Sequence, residues 1–166
     1  MATTTHLADT SVLTRIAKPV VRASMTPMLT QGRIALCSPV TFELGFTAQS
    51  AEDYELLMDR LSGFDMAPVT EGDHRRSLEV QRELSARGRH RGVSLTDALV
   101  AAVAESRNLS VLHYDSDFEL IAAIPGQPQV WLVPRSPADR GRTRDAARSV
   151  DPPAPVMHRR PAGTTS

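Results

Sequence analysis

The feature that most constrains this chain is an alternation: short apolar segments separated by longer stretches of helical period, repeated from residue 6 to about residue 133. Strands alternating with helices call for a parallel sheet, because each strand needs a crossover to lie beside the next in the same direction. The segments His6-Leu7-Ala8, Ile34-Ala35-Leu36-Cys37, Leu109-Ser110-Val111-Leu112 and Val130-Trp131-Leu132-Val133 read as strands. Between them the spacing predicts a helix over Pro19–Thr30 closed by Gly32, and a short helix over Pro39–Thr47 with Ser38 as N-cap and Pro39 at its first position. A further helix carries Tyr54, Leu57, Met58 and Leu61 and ends before Gly63. A long one runs from Glu71 to Arg87 and stops at Gly88, with Leu78, Val80, Gln81 and Leu84 along it. The last, Thr96–Arg107, presents Leu99, Val100, Val103 and Ala104 as a buried stripe. No internal repeat is visible.

The length of 166 residues suits one domain with a sizeable core. Net charge is zero, but it is unevenly placed: residues 136–166 hold six Arg against three Asp, so the rest of the chain is acidic by the same margin. That segment contains five prolines and no Leu, Ile, Phe, Tyr or Trp. It has too little apolar area to offset its ordering entropy, which predicts a disordered basic tail after a domain spanning 1–135. The longest apolar runs, such as Ala98–Ala104, fall far short of the roughly 18 to 20 residues that cross a bilayer. Met1–Thr5 shows no basic or apolar leader pattern, which predicts a cytoplasmic protein without membrane contact. A single cysteine, Cys37, excludes a disulfide framework and a four-thiolate zinc site.

Four acids stand in apolar or turn contexts instead of on charged helix faces: Asp9, Glu43, Asp97 and Asp115, with Asp117 close behind the last. Asp9 and Asp115 directly follow predicted strands, at the carboxyl edge where open α/β sheets bind ligands. Glu43 lies between Phe42 and Leu44, where an ionised carboxylate is costly unless it is paired or holds a metal. Asp97 opens a helix. Each has a structural reading too, since Asp9 and Asp115 suit N-caps and Ser94 with Asp97 resembles a capping box. Taken together, carboxylates converging on one crevice ask for a cation, and oxygen ligands without thiols select Mg²⁺ or Mn²⁺. The histidines offer no zinc spacing, and the glycines form neither GxGxxG nor GxxxxGK[ST].

LADTSVL near the start, PVTFELGF, RGVSLTDALVAAVAES and VLHYDSDFELIA together resemble the PIN domain, specifically the VapC-type toxin ribonucleases of bacterial toxin–antitoxin pairs. The likeness spans residues 5 to 134 and implies a three-layer α/β/α fold with a central parallel sheet of four or five short strands. It implies that Asp9, Glu43, Asp97 and Asp115 form the catalytic acids, with Asp117 the neighbouring candidate and Thr10 or Ser11 the supporting hydroxyl. Asp9 and Asp97 are the expected direct metal ligands. The implied reaction is hydrolysis of an RNA phosphodiester by metal-activated water. Arg89, His90 and Arg91, just before Ser94, are placed either to hold flanking phosphates or to complement the dipole at the end of the preceding helix. The expected partners are a cognate VapB-like antitoxin and a second copy of the chain; Met25, Met28, Leu57 and Met58 suit an adaptable contact surface, with ordinary core packing the commoner use of any one of them.

Two readings compete: a PIN-like nuclease outside toxin biology, and a non-catalytic module that only binds RNA or an antitoxin. Receiver domains and haloacid-dehalogenase-like phosphatases need a lysine late in the fold. Lys18, the only lysine, comes early.

Overall fold

The computed structural model describes residues 3–114, 117–124 and 129–131. Its centre is a five-stranded sheet of β1 (His6–Ala8), β2 (Ile34–Cys37), β3 (Asp65–Ala67), β4 (Ser110–His113) and β5 (Gln129–Trp131), in the order β3-β2-β1-β4-β5. Every pairing is parallel: His6 of β1 lies opposite Ile34 on one side and Ser110 on the other. The expected α/β/α architecture is present. Its cause is visible in β2 and β4, where residues on both faces of the pleat are buried, so helices must cover both sides.

Those helices are α1 (Thr10–Leu13), α2 (Pro19–Thr30), α3 (Ser38–Gly45), α4 (Ala51–Leu61), α5 (Glu71–Ala86), α6 (Leu95–Ser106) and α7 (Asp117–Ala122). Helix α6 is the central support. Ala98 through Ala104 are all buried, and it packs against α5, α3, β1 and β4. Val21 and Met25 of α2, Val80 and Leu84 of α5, and Phe118 and Ile121 of α7 complete the core. Gly32 and Gly88 adopt φ of 59° and 67° beyond α2 and α5, a left-handed turn that a side chain would strain.

Several expectations need correction. Helix α3 begins at Ser38, so its N-cap is Cys37, with no side-chain cap bond. It ends at Gly45, short of Thr47. Strand β4 starts at Ser110, because Asn108 takes a left-handed φ of 54° and Leu109 belongs to that turn. Helices α5 and α6 each end one residue sooner than expected and α6 begins one residue earlier. Leu78 and Gln81 lie on the outer side of α5, while Ser77, Val80 and Leu84 face inward. As core packing predicts, Met25 lies in the core, with Met28, Leu57 and Met58 packed against its edge. Strand β3 and helices α1 and α7 are absent from the sequence reading. Residues 132–133 and the predicted tail, 136–166, lie outside the described residues.

One charged cluster ties α5 to α6. Asp73 is 1% exposed, yet it accepts hydrogen bonds from the Thr70 N–H at 2.7 Å, the Thr70 hydroxyl at 2.9 Å and the Ser106 hydroxyl at 2.6 Å. The Arg107 guanidinium adds an ion pair at 3.2 Å. Burial alone would push the Asp73 carboxyl up; the bonds from Ser106 and Thr70 and the Arg107 charge outweigh it and hold the carboxyl below its ordinary value. Its contribution is therefore full above the ordinary carboxylate value of 3.8 and is lost as the pH falls through the lower folded value. Removing one member of such a cluster leaves buried groups unpaired. Asp73→Ala should lower unfolding free energy at pH 7 by about 3 kcal/mol in denaturant titrations, and by less at pH 3.

Candidate active site

The strand order reverses direction between β1 and β4: β2 and β3 follow on one side of β1, and β4 and β5 lie on the other. At such a switch point the loops leaving neighbouring strands diverge and open a crevice. Asp9 is the first residue after β1, and Tyr114 the first after β4.

Asp9 is held on several sides. Its N–H donates to the Leu112 carbonyl at 2.9 Å, fixing it to the end of β4. As N-cap of α1, its Oδ2 accepts the Ser11 N–H at 2.8 Å. Ser11 in turn accepts the Tyr114 N–H on its hydroxyl oxygen at 2.9 Å, so the two strand exits are stitched together by one side chain. The capping reading of Asp9 is thus correct for one carboxylate oxygen only. The other, Oδ1, is buried and has no hydrogen-bond partner among the described residues. The residue is 3% exposed.

Glu43 comes to the same place from α3. The Thr10 hydroxyl donates to its Oε2 at 2.7 Å, bridging α1 and α3 across 33 residues of sequence. Both hydroxyl residues named in the sequence reading therefore have defined work: Thr10 orients Glu43, and Ser11 orients Asp9. Glu43 also edges an open groove with Phe42, Leu95, Thr96 and Leu99, in which the Phe42 ring is 80% exposed.

Burial pushes the Asp9 carboxyl up, the hydrogen bonds from Ser11 oppose this, and the Glu43 charge raises it further. Two acids in mutual repulsion, one with a buried oxygen that nothing among the described residues satisfies, are poorly neutralised by those residues. Hard oxygen donors in that state suit a divalent cation that keeps several waters and takes only one or two carboxylates.

Asp97 is buried at the third position of α6, where the capping box is fully formed: Ser94 Oγ accepts the Asp97 N–H at 3.0 Å, and Asp97 Oδ2 accepts the Ser94 N–H at 3.3 Å. Helix α6 packs on α3 and β1, the elements that carry Glu43 and lead into Asp9. Among the described residues, however, no three acidic, histidine or cysteine side chains are close enough together to share one ion. Asp115 lies outside the described residues; Asp117 opens α7, and its side chain is likewise outside them.

Cys37, at the end of β2, is buried, and burial pushes its thiol up to about 11, which leaves it protonated and inert at neutral pH. Arg89 and Arg91 are exposed on either side of His90 in a single 3₁₀ turn, His90–Gly92. His90 packs between α5 and the start of α6 near Leu84, Val93 and Ala98, with Nδ1 buried and unpartnered among the described residues. Tyr114 and Arg15 carry no local signal in the sequence. Arg15 Nη1 donates to the Ser11 carbonyl at 2.9 Å, and its guanidinium lies 5.1 Å from the centre of the Tyr114 ring. Contacts of this kind depend on where the strands end in space, and no local spacing announces them.

The raised Asp9 carboxyl has a definite sign. A folded carboxyl that protonates more readily than the unfolded one contributes stability that is complete below the ordinary value of 3.8 and is lost as the pH rises through the folded value. Asp9→Asn preserves the cap and removes the buried charge. It should stabilise the metal-free protein at pH 7.5 by about 1 kcal/mol, a rise in Tm of roughly 2 to 4 °C. In calorimetry that advantage should shrink as the pH is lowered toward 4.

The pattern that defines the PIN domain matches residues 7–124. The chain is 42% identical over 134 residues to ribonuclease VapC51 of Mycobacterium tuberculosis, covering 81% of this chain and 97% of that protein. It is 40% identical over 129 residues to ribonuclease VapC18 of the same organism, covering 76% and 94%. Among solved structures, the DNA-bound VapBC of Salmonella typhimurium superposes with a TM-score of 0.65 at 19% identity, covering 78% of this chain and 99% of that one. That last likeness speaks for the fold.

Proposed function

The chain belongs to the PIN-domain family, and on that premise we propose that it is an endoribonuclease toxin of the VapC type, hydrolysing RNA phosphodiester bonds with a divalent cation, Mg²⁺ or Mn²⁺. The observation that carries this reading is the buried, unpartnered Oδ1 of Asp9 beside Glu43 at the switch point of the sheet. Asp9 and Asp97 are the proposed direct ligands, and Glu43 and Asp115 the acids that orient water. When bound, the cation supplies charge neutralisation at the scissile phosphate and acidifies a water for in-line attack.

The chain's own residues do the positioning. The Ser11 N–H fixes Oδ2 of Asp9, which leaves Oδ1 as the oxygen available to a cation. The Thr10 hydroxyl fixes one oxygen of Glu43, so the other can accept a proton from water without the side chain swinging away. The Ser94–Asp97 box holds Asp97 in a single rotamer at the start of α6. Arg89 and Arg91, exposed and without an ion pair among the described residues, are suited to phosphates flanking the cut.

A VapB-like antitoxin is the proposed protein partner, and self-association into a homodimer is proposed with it. The relatives of 42% and 40% identity carry the name ribonuclease VapC, and the solved structures alike in fold include VapBC assemblies. No helix among the described residues is long and apolar enough to cross a membrane.

The test is cleavage of a mixed single-stranded RNA pool with Mg²⁺, with Mn²⁺ and with chelator. Cutting should need the metal and should vanish in Asp97→Asn. Because asparagine still serves the cap, that variant should keep its fold to within about 1 kcal/mol; an unfolded variant would assign Asp97 to capping alone. Arg89→Ala with Arg91→Ala should raise KM and reduce the slope of log affinity against log salt by about 0.7 for each phosphate no longer neutralised, with kcat little changed. A folded protein, free of antitoxin, that cuts nothing under any of these conditions would favour a binding module.

A further inference from the structure

Building on the ribonuclease reading, we infer that Arg15, Lys18 and Tyr114 form an anion subsite beside the carboxylate crevice, which takes a phosphodiester of the RNA backbone. The Arg15 guanidinium lies 5.1 Å and the Lys18 ammonium 5.2 Å from the centre of the same Tyr114 ring. The two cations are therefore no more than about 10 Å apart. Neither pairs with a carboxylate among the described residues. Like charges gathered on one aromatic ring are held there by its quadrupole, which orients them but leaves their charge uncompensated among the described residues. An anion bound beside them relieves that repulsion.

The subsite is fastened to Asp9 through one residue. Ser11 accepts Arg15 Nη1 on its carbonyl at 2.9 Å, accepts the Tyr114 N–H on its hydroxyl at 2.9 Å, and donates its own N–H to Asp9 Oδ2 at 2.8 Å. Arg15 is half-buried and spends one donor on this anchor, which leaves guanidinium N–H groups for a phosphate. Lys18, exposed, is also the N-cap of α2, whose first turn has no acidic residue and no side-chain cap. The helix dipole there adds to the same positive field. A backbone phosphate next to the one being cut passes this point, whereas a detached anion gains nothing from being tethered to Asp9.

The experiment is equilibrium binding of a fluorescent single-stranded RNA 12-mer, in chelator, to Asp97→Asn protein over a series of KCl concentrations. Adding Arg15→Gln and Lys18→Gln should weaken binding by about tenfold and lower the slope of log affinity against log salt by roughly 0.7 to 1.4, the equivalent of one or two phosphates. Arg60→Gln with Arg82→Gln, the same change of charge elsewhere on the surface, should leave the slope unaltered. Lys18→Gln alone, at an exposed position, should lower the slope by about 0.7 and carries the test if the double variant fails to fold. A slope unchanged by the Arg15 and Lys18 substitutions, or lowered equally by the control pair, overturns the subsite. If wild-type protein cuts RNA while the slope is unchanged, the subsite falls and the ribonuclease reading stands. If it cuts nothing and the slope still falls, the subsite stands and the ribonuclease reading falls.

Discussion

Everything at the site depends on one electrostatic problem: a carboxylate buried at the end of a central parallel strand, with one oxygen satisfied and the other without a partner among the described residues. Packing cannot relieve it. Asp9 sits where β1 ends between β2 and β4, so it is surrounded by the parts of the sheet that are covered on both faces. Protonating it, or placing Glu43 elsewhere, would relieve the strain. Instead the Thr10 hydroxyl holds Glu43 nearby, which makes the ionised state of Asp9 harder to reach. A fold that maintains such an arrangement is less stable than it could be without a cation, and active sites commonly accept that trade.

The contrast with Asp73 shows that burial alone is not the signal. Asp73 is as deeply buried as Asp9, yet Thr70, Ser106 and Arg107 satisfy it and hold its carboxyl low. One acid joins two helices and contributes stability; the other forgoes stability and keeps an oxygen without a partner among the described residues. The difference lies in the direction of the shift and in the orphaned oxygen, and both follow from the neighbours each fold position supplies.

Much of this was legible in the sequence because the decisive patterns are local. Strands β1 and β2 and helix α2 lie where periodicity and terminal residues place them, and Asp9 and Glu43 were conspicuous as acids among apolar neighbours. Strand β3 escaped because Asp65-Met66-Ala67 is an edge strand with Met66 half-exposed, so its composition resembles a loop. Helix α1 is four residues long and exists through the Asp9 cap, too short to show a period. Serine before proline is the usual helix start, whereas in α3 the chain already turns at Cys37, one residue earlier. The Asp73–Arg107 pair and the cations over Tyr114 were invisible for a different reason. Each joins residues tens of positions apart, and only the packing of α5 on α6, or the juncture of β1 and β4, brings them together.

The most direct measurement is calorimetric titration of Mg²⁺, and separately Mn²⁺, into the wild-type protein and into Asp9→Asn. A cation seated on the orphaned oxygen of Asp9 predicts saturable binding to the wild type, with a metal-dependent rise in Tm, and neither effect in the variant. Equal binding by both proteins, or none by either, would contradict the claim that the buried carboxylate at the end of β1 is the seat of the metal.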